Sequence, residues 1–342
     1  MNEDDRAELD RLLPVPAAPG LSADRHRSLR GHLMSEIGAT PAGARRSGYG
    51  WVALPALAGG LALAVVLTTG GGGAPGAPGA PGAPGGATRA ERPAVSRPAA
   101  GPADAVRLLD RIAQVAASRP AGTVRDDQYV CVRSQWSGTH YDAATGRTKT
   151  TPLHPRTVWL SVDGSTDGLI EDATAFGGPK NPRGRIALVP APGPAGIVRP
   201  TYRYLTTLPT DPRELLRKVY AEGNGKGGQP DQAAFRDIGS LIGEQLIAPE
   251  TSAALYRAAA LIPGVTLVDD AVDALGRHGV AVAREDGTVR SEWIFDRDSY
   301  EFLGEREVLL RDSDFGTKGM VVQHTAVQQR AVVDKPGELP AN

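Results

Sequence analysis

GVAVAREDGTVRSEWIFDRDSYEFLGEREVLL, residues 279–310, is the stretch that decides the fold. Residues 279–284 and 288–295 carry the β-branched and aromatic side chains of strands, and Glu285-Asp286-Gly287-Thr288 between them has the chemistry of a tight hairpin turn. Residues 300–310 add a third strand. Alternation along 288–295 places Val289, Ser291, Trp293 and Phe295 on one face and Arg290 and Glu292 on the other. That pattern predicts a sheet packed on its first face and wet on its second. Residues 265–270 before this stretch and 319–329 after it extend the antiparallel meander at both ends.

Upstream the periodicity changes. Asp211-Pro212 has the N-cap and first-turn chemistry of a helix running to Tyr220, and residues 231–247 and 250–262 follow as Ala- and Leu-rich helices broken by Pro249 and Pro263. Further upstream, residues 127–133 and 157–162 are strand-like, the latter ending in an Asp163–Gly164 turn. Val106, Leu109, Ile112 and Ala113 recur at helical spacing, so a helix over 103–115 opens the domain. Two β regions with helices inserted between them give an α+β fold over residues 103–334, with 335–342 as a tail.

The chain ahead of this domain is of another kind. Gly (42) and Pro (28) are abundant in the 342 residues, and much of the excess falls in 71–102, where GAPGAPGAPGAP cannot bury apolar surface and reads as an extended spacer. Residues 49–69, YGWVALPALAGGLALAVVLTT, contain no charge. About 20 apolar residues rising ~1.5 Å each match a hydrocarbon core of ~30 Å, so 49–70 is expected to be a transmembrane helix. Tyr49 and Trp51 sit at its leading edge, and Arg45 and Arg46 precede it, with Arg25, Arg27 and Arg30 further back. The excess of arginine on that side places the N-terminus in the cytoplasm and residues 103–334 outside. In the cytoplasmic segment 1–48, Pro14, Pro16 and Pro19 separate two short helical patterns. The second, capped by Ser22, lines up Leu29, Leu33, Met34 and Ile37. That stripe suits docking on a cytosolic partner, and equally adsorption on anionic lipid.

The chemistry-bearing residues exclude more than they offer. A formal net charge of −1 gives no field favouring nucleic acid, and the single cysteine, Cys131, rules out a disulfide framework and a cysteine zinc site. It alternates into a strand between Val130 and Val132 as a small core residue. Gly223-Asn-Gly225-Lys-Gly-Gly228 matches G-x-G-x-x-G, but a helix precedes it where a dinucleotide site needs a strand, so it is a loop between helices. None of His26, His32, His140, His154, His278 and His324 has ligand spacing to another on a helix. Glu285, Asp286, Asp296 and Asp298 lie at hairpin turns, where acidic residues are usual. No catalytic, cofactor or metal residue is assigned. Trp136, Trp159, Trp293 and Phe302, together with Tyr300, are the large aromatics of the sheet. They either line an apolar cavity or fill the core against the helices.

The leading helix, the inserted helices and the tract from Trp293 to Gly304, WIFDRDSYEFLG, resemble the lipoprotein-carrier and sigma-regulator sensor folds. The resemblance implies a bent antiparallel sheet that holds an acyl chain or senses a mislocalised lipoprotein. The whole layout, with LLPVPAAPGLSADRHRSLRGHLMSEI ahead of an anchor and an outer domain, is similar to a family of actinobacterial single-pass membrane proteins often encoded beside extracytoplasmic-function sigma factors. Together these features lead us to expect a non-enzymatic, membrane-anchored envelope sensor or regulator, anti-sigma-like, with a sigma-like cytosolic partner. The alternative is a tethered carrier of lipid or lipoprotein.

Overall fold

The computed structural model describes residues 101–142, 147–190, 193–225 and 229–340. The N-terminal segment 1–48, the apolar run and most of the spacer lie outside these residues. No helix among the described residues is long and apolar enough to cross a membrane.

The chain opens with α1 (Pro102–Ala117), which has proline in its first turn and buries Ala105, Leu108, Leu109, Ile112, Ala113 and Ala116 along one stripe. Strands β1 (Tyr129–Asp142), β2 (Arg147–Thr150), β3 (His154–Ser161), β4 (Gly168–Glu171) and β5 (Arg185–Leu188) follow, with the single turn α2 (Ala173–Phe176) before β5. The helical middle comprises α3 (Tyr202–Thr206), α4 (Pro212–Glu222), α5 (Pro230–Glu244) and α6 (Pro249–Ala259). Asp211 caps α4 as expected, its side chain accepting the amides of Arg213 and Glu214. The meander is β6 (Val265–Val272), β7 (His278–Glu285), β8 (Val289–Phe295), β9 (Phe302–Leu309) and β10 (Val321–Val333). Asp286 closes the β7–β8 turn by accepting the amides of Thr288 and Val289.

The two β regions form one antiparallel sheet. Its strand order is β5-β4-β3-β1-β10-β9-β8-β7-β6, with β2 pairing β1 off the path. The long seam between β1 and β10 runs from Tyr129 opposite Val333 to Gly138 opposite Gln323. On one face, α1 and α3–α6 enclose the main core, which includes Leu109, Val130, Leu205, Leu215, Phe235, Leu255, Trp293 and Phe295. The fold is α+β.

The expected wet face is a correction. Every residue of β8 is buried, and Arg290 and Glu292, placed on the solvent side by alternation, are 2% and 0% exposed. The alternation itself holds, since Ala283 pairs with Glu292 and Arg284 with Ser291 across β7 and β8. What alternation cannot express is curvature. Irregular registers interrupt the pairs of β6–β7, β8–β9 and β9–β10, and such bulges bend strands. The meander rolls until the end of β6 reaches β10. His324 Nε2 lies 3.0 Å from the carbonyl of Val272, and the Ala274 amide donates to Thr325 at 3.4 Å. Arg277 donates from Nη2 to the carbonyls of Leu303 and Val327. The enclosed face is lined by Val268, Ala271, Ala281, Ala283, Ile294 and Leu303.

Candidate functional site

The four aromatics named from the sequence do not share a face. Trp293 and Phe302 lie in the main core under the helices. Trp293 stacks on Phe235 of α5 with ring centroids 4.0 Å apart, and Phe302 meets Phe295 edge-on at 5.6 Å. Trp159 packs on the opposite side with Cys131 and Val333, its Nε1 donating to the carbonyl of Glu338 at 2.6 Å. Trp136, half-buried, sets its ring edge-on to His154. Cys131 is fully buried, and burial pushes its thiol up to about 11. The partner stripe Leu29, Leu33, Met34 and Ile37 lies outside the described residues.

Where α5 crosses the helix-covered face, it meets a line of polar side chains. Arg284 of β7 donates to Gln232 at 2.8 Å and to the carbonyl of Pro263 at 2.9 Å. Gln232 donates to Ser291, Ser291 to Glu307, and Arg236 pairs with Glu307 at 3.1 Å. Asp237 accepts both the backbone and the side chain of Asn224, while burial holds its carboxyl above the usual range. The line ends at Glu305. Its Oε1 is enclosed without a hydrogen-bond partner among the described residues, close to Trp293 Nε1. Gly239 makes this approach possible, because a Cβ there would sit 2.6 Å from Glu305 Oε1. Burial, reinforced by Glu307 and Glu244 and only partly offset by Arg236 and Arg330, pushes the Glu305 carboxyl up to about 8. It is therefore mostly protonated at neutral pH.

The inner face of the roll holds a second ionic group. Glu292 accepts Nε of Arg290 at 2.6 Å and Nε of Arg306 at 2.8 Å, and all three side chains are enclosed. One carboxylate thus serves two guanidinium groups, and Arg290 Nη2 has no hydrogen-bond partner among the described residues.

Outside the core, a cleft of about 320 Å³ opens between α1 and the edge of the sheet. Asp104, Arg107, Leu108 and Arg111 line it from α1, Leu267 and Val280 from β6 and β7, and Arg297 and Tyr300 from the β8–β9 turn. Arg107 pairs with Asp104, and Arg297 with the carbonyl of Asp269 and the carboxylate of Asp270. Asp296 holds that turn by accepting the amides of Asp298 and Ser299 and the Ser299 hydroxyl. These bonds keep its carboxyl below the usual range. Asp296 and Asp298 lie in a hairpin turn, as expected from the sequence, whereas the cleft beside it was not expected. Its signal was legible in Asp104, Arg107 and Arg111, which fall on one helical stripe.

Gly223, Asn224 and Gly225 connect α4 to α5, as the loop reading expected. His154 lies 3.2 Å from Asp172, both buried, and its other nitrogen is 2.7 Å from the carbonyl of Pro152. No cluster of metal-ligating side chains occurs among the described residues.

No protein-family model matches the chain, and none of the curated proteins does. Among solved structures, the Pseudomonas aeruginosa MucA/MucB complex is similar over 70% of this chain and 59% of that one, at 13% identity and a TM-score of 0.23. A second structure, MucB with MucA(peri), is similar over 70% of this chain and 57% of that one, at 13% identity and a TM-score of 0.22. The chain thus spans under two thirds of either match. Likeness at this level says nothing of what the chain binds.

Proposed function

We propose that the chain is a single-pass, non-enzymatic regulator of the cell envelope. Its folded domain perceives a signal outside the membrane, and its N-terminal segment engages a sigma-like partner in the cytoplasm. The observation that carries this reading is the uncharged run 49–69, with Arg45 and Arg46 immediately before it and a spacer after it. Positive charge on one flank sets orientation, and a glycine-proline spacer keeps a domain clear of the headgroups. The output arm is the stripe Leu29, Leu33, Met34 and Ile37. A tethered carrier has less support, because Trp293 and Phe302 are packed under helices while Trp159 faces the other way.

The test is capture of a sigma factor encoded beside the gene by residues 1–46. Burial of an apolar side chain contributes about 1.5–3 kcal/mol, so Leu33→Asp should weaken capture by at least ~10-fold. Charge reversal at Arg25 and Arg27 should matter less, and mainly at low salt. Capture indifferent to Leu33→Asp, or no capture, removes the output arm. Binding to anionic vesicles governed by the arginines would put lipid adsorption in its place.

A further inference from the structure

We propose that the cleft between α1 and the β8–β9 turn is a binding site for a small organic anion, a carboxylate or phosphate head on a compact apolar body. This gives the sensor reading a ligand class and rests on that reading only for its purpose.

The cleft has the two parts such a ligand needs. Its apolar part is Leu108, Leu267 and Val280, with Tyr300 at the side. Its charged part is Arg107, Arg111 and Arg297, brought in from two elements far apart in sequence. The guanidinium fork matches carboxylate and phosphate oxygens in paired hydrogen bonds, and arginine is less strongly hydrated than lysine. Arg111 has no carboxylate within ion-pair distance among the described residues. At about 320 Å³ the cleft lies at the small end of the range for ligand pockets, which favours a compact body.

The backbone at Tyr300 is the second observation. Its φ is +55°, the left-handed region, and it is the one non-glycine residue with positive φ among the described residues. Glycine would sit there with less strain, yet the chain places a large aromatic there. Asp296 over-determines the conformation: its carbonyl accepts the Tyr300 amide at 3.1 Å, and its carboxylate fixes the residues between. The turn that holds Tyr300 also carries Arg297, so one strained motif supplies both an aromatic wall and a cation.

Asp104 supplies an internal control. Its carboxylate occupies Arg107, opposing an incoming anion, so its removal should favour binding. Asp270 acts likewise on Arg297.

The experiment titrates the full chain in zwitterionic detergent with phenyl phosphate and with inorganic phosphate, by calorimetry at constant ionic strength. Phenyl phosphate should bind saturably at one site and at least ~10-fold tighter than inorganic phosphate, since only the ester uses the apolar floor. Arg297→Ala and Arg111→Ala should each weaken it ~10-fold, and Asp104→Asn should tighten it a few-fold, on the scale of charge-assisted hydrogen bonds. Arg217→Ala, at an exposed arginine of α4, should change nothing. Absence of saturable phenyl phosphate binding overturns the proposal, as does an equal loss in Arg217→Ala and Arg297→Ala. Equal affinity for the two probes overturns the apolar half and leaves a bare phosphate site. None of these readouts uses topology or capture, so failure here is distinguishable from failure of the regulatory reading.

Discussion

Trp293 and Glu292 are neighbours in β8 and face opposite ways. Under the helices, Trp293 meets Phe235 ring to ring; inside the roll, Glu292 sits between two arginines. Both side chains are buried almost completely. The helix-covered face is closed by separate elements whose apolar stripes match it, and α5 supplies partners for Arg284, Ser291 and Glu307, while Glu305 is left without one among the described residues. The inner face is closed by the sheet's own curvature, so what it encloses is whatever the strands carry. Burial therefore does not follow from alternation alone: a strand can read as half-wet and still be dry on both sides.

The comparison breaks most directly at Glu292. Glu292→Gln leaves Arg306 enclosed without its carboxylate and Arg290 with only the more distant Glu285 at 3.8 Å, and breaking a buried ion pair from one side costs about 3–5 kcal/mol. Urea denaturation should show a loss of that order. A loss below about 1 kcal/mol would mean that water reaches this face and that the roll is open.

A smaller effect sharpens the other face. Glu305 has its folded carboxyl at about 8, against 4.5 when unfolded, so between these values the folded state holds a proton that the unfolded state has released. Stability from this group is complete below 4.5 and falls as pH rises towards 8, by about 2 kcal/mol between pH 5 and pH 7. Asp237, raised by burial, acts in the same direction, whereas His324, lowered by burial, acts in the opposite one as pH falls through its unfolded value. The difference between the wild type and Glu305→Gln removes both contributions. The variant should gain about 2 kcal/mol relative to the wild type from pH 5 to pH 7 in denaturation midpoints. A pH-independent difference would mean that Glu305 is ionised and paired in the fold.

Local chemistry was legible in the sequence where it is decided locally. The Asp211 cap, the β7–β8 turn and the apolar stripe of α1 all follow from residues a few positions apart. Strand ends were less so. Of residues 127–133, only Tyr129 onward belongs to β1, which continues through polar Ser134, Gln135 and Ser137 to Asp142 because β3 and β10 pair with it as far as Trp136 and Gly138 and β2 beyond. Joining the two β regions, rolling the meander and setting Arg284 against Gln232 all depend on partners far along the chain. The cleft was half legible: the α1 stripe can be read directly, but nothing local says that Arg297 faces it. Aromatic content likewise identified the large side chains of the sheet without assigning them to faces.

The regulatory proposal depends on the chain crossing the membrane once, with its two arms on opposite sides. The direct measurement is a pair of reporter fusions, one after residue 46 and one after residue 100, each made with a cytoplasmic and an exported reporter. Arg45 and Arg46 ahead of the uncharged 49–69 run predict that the first fusion is active only inside and the second only outside. Cytoplasmic activity from both would contradict the anchor, the outer domain and the two-arm regulator together.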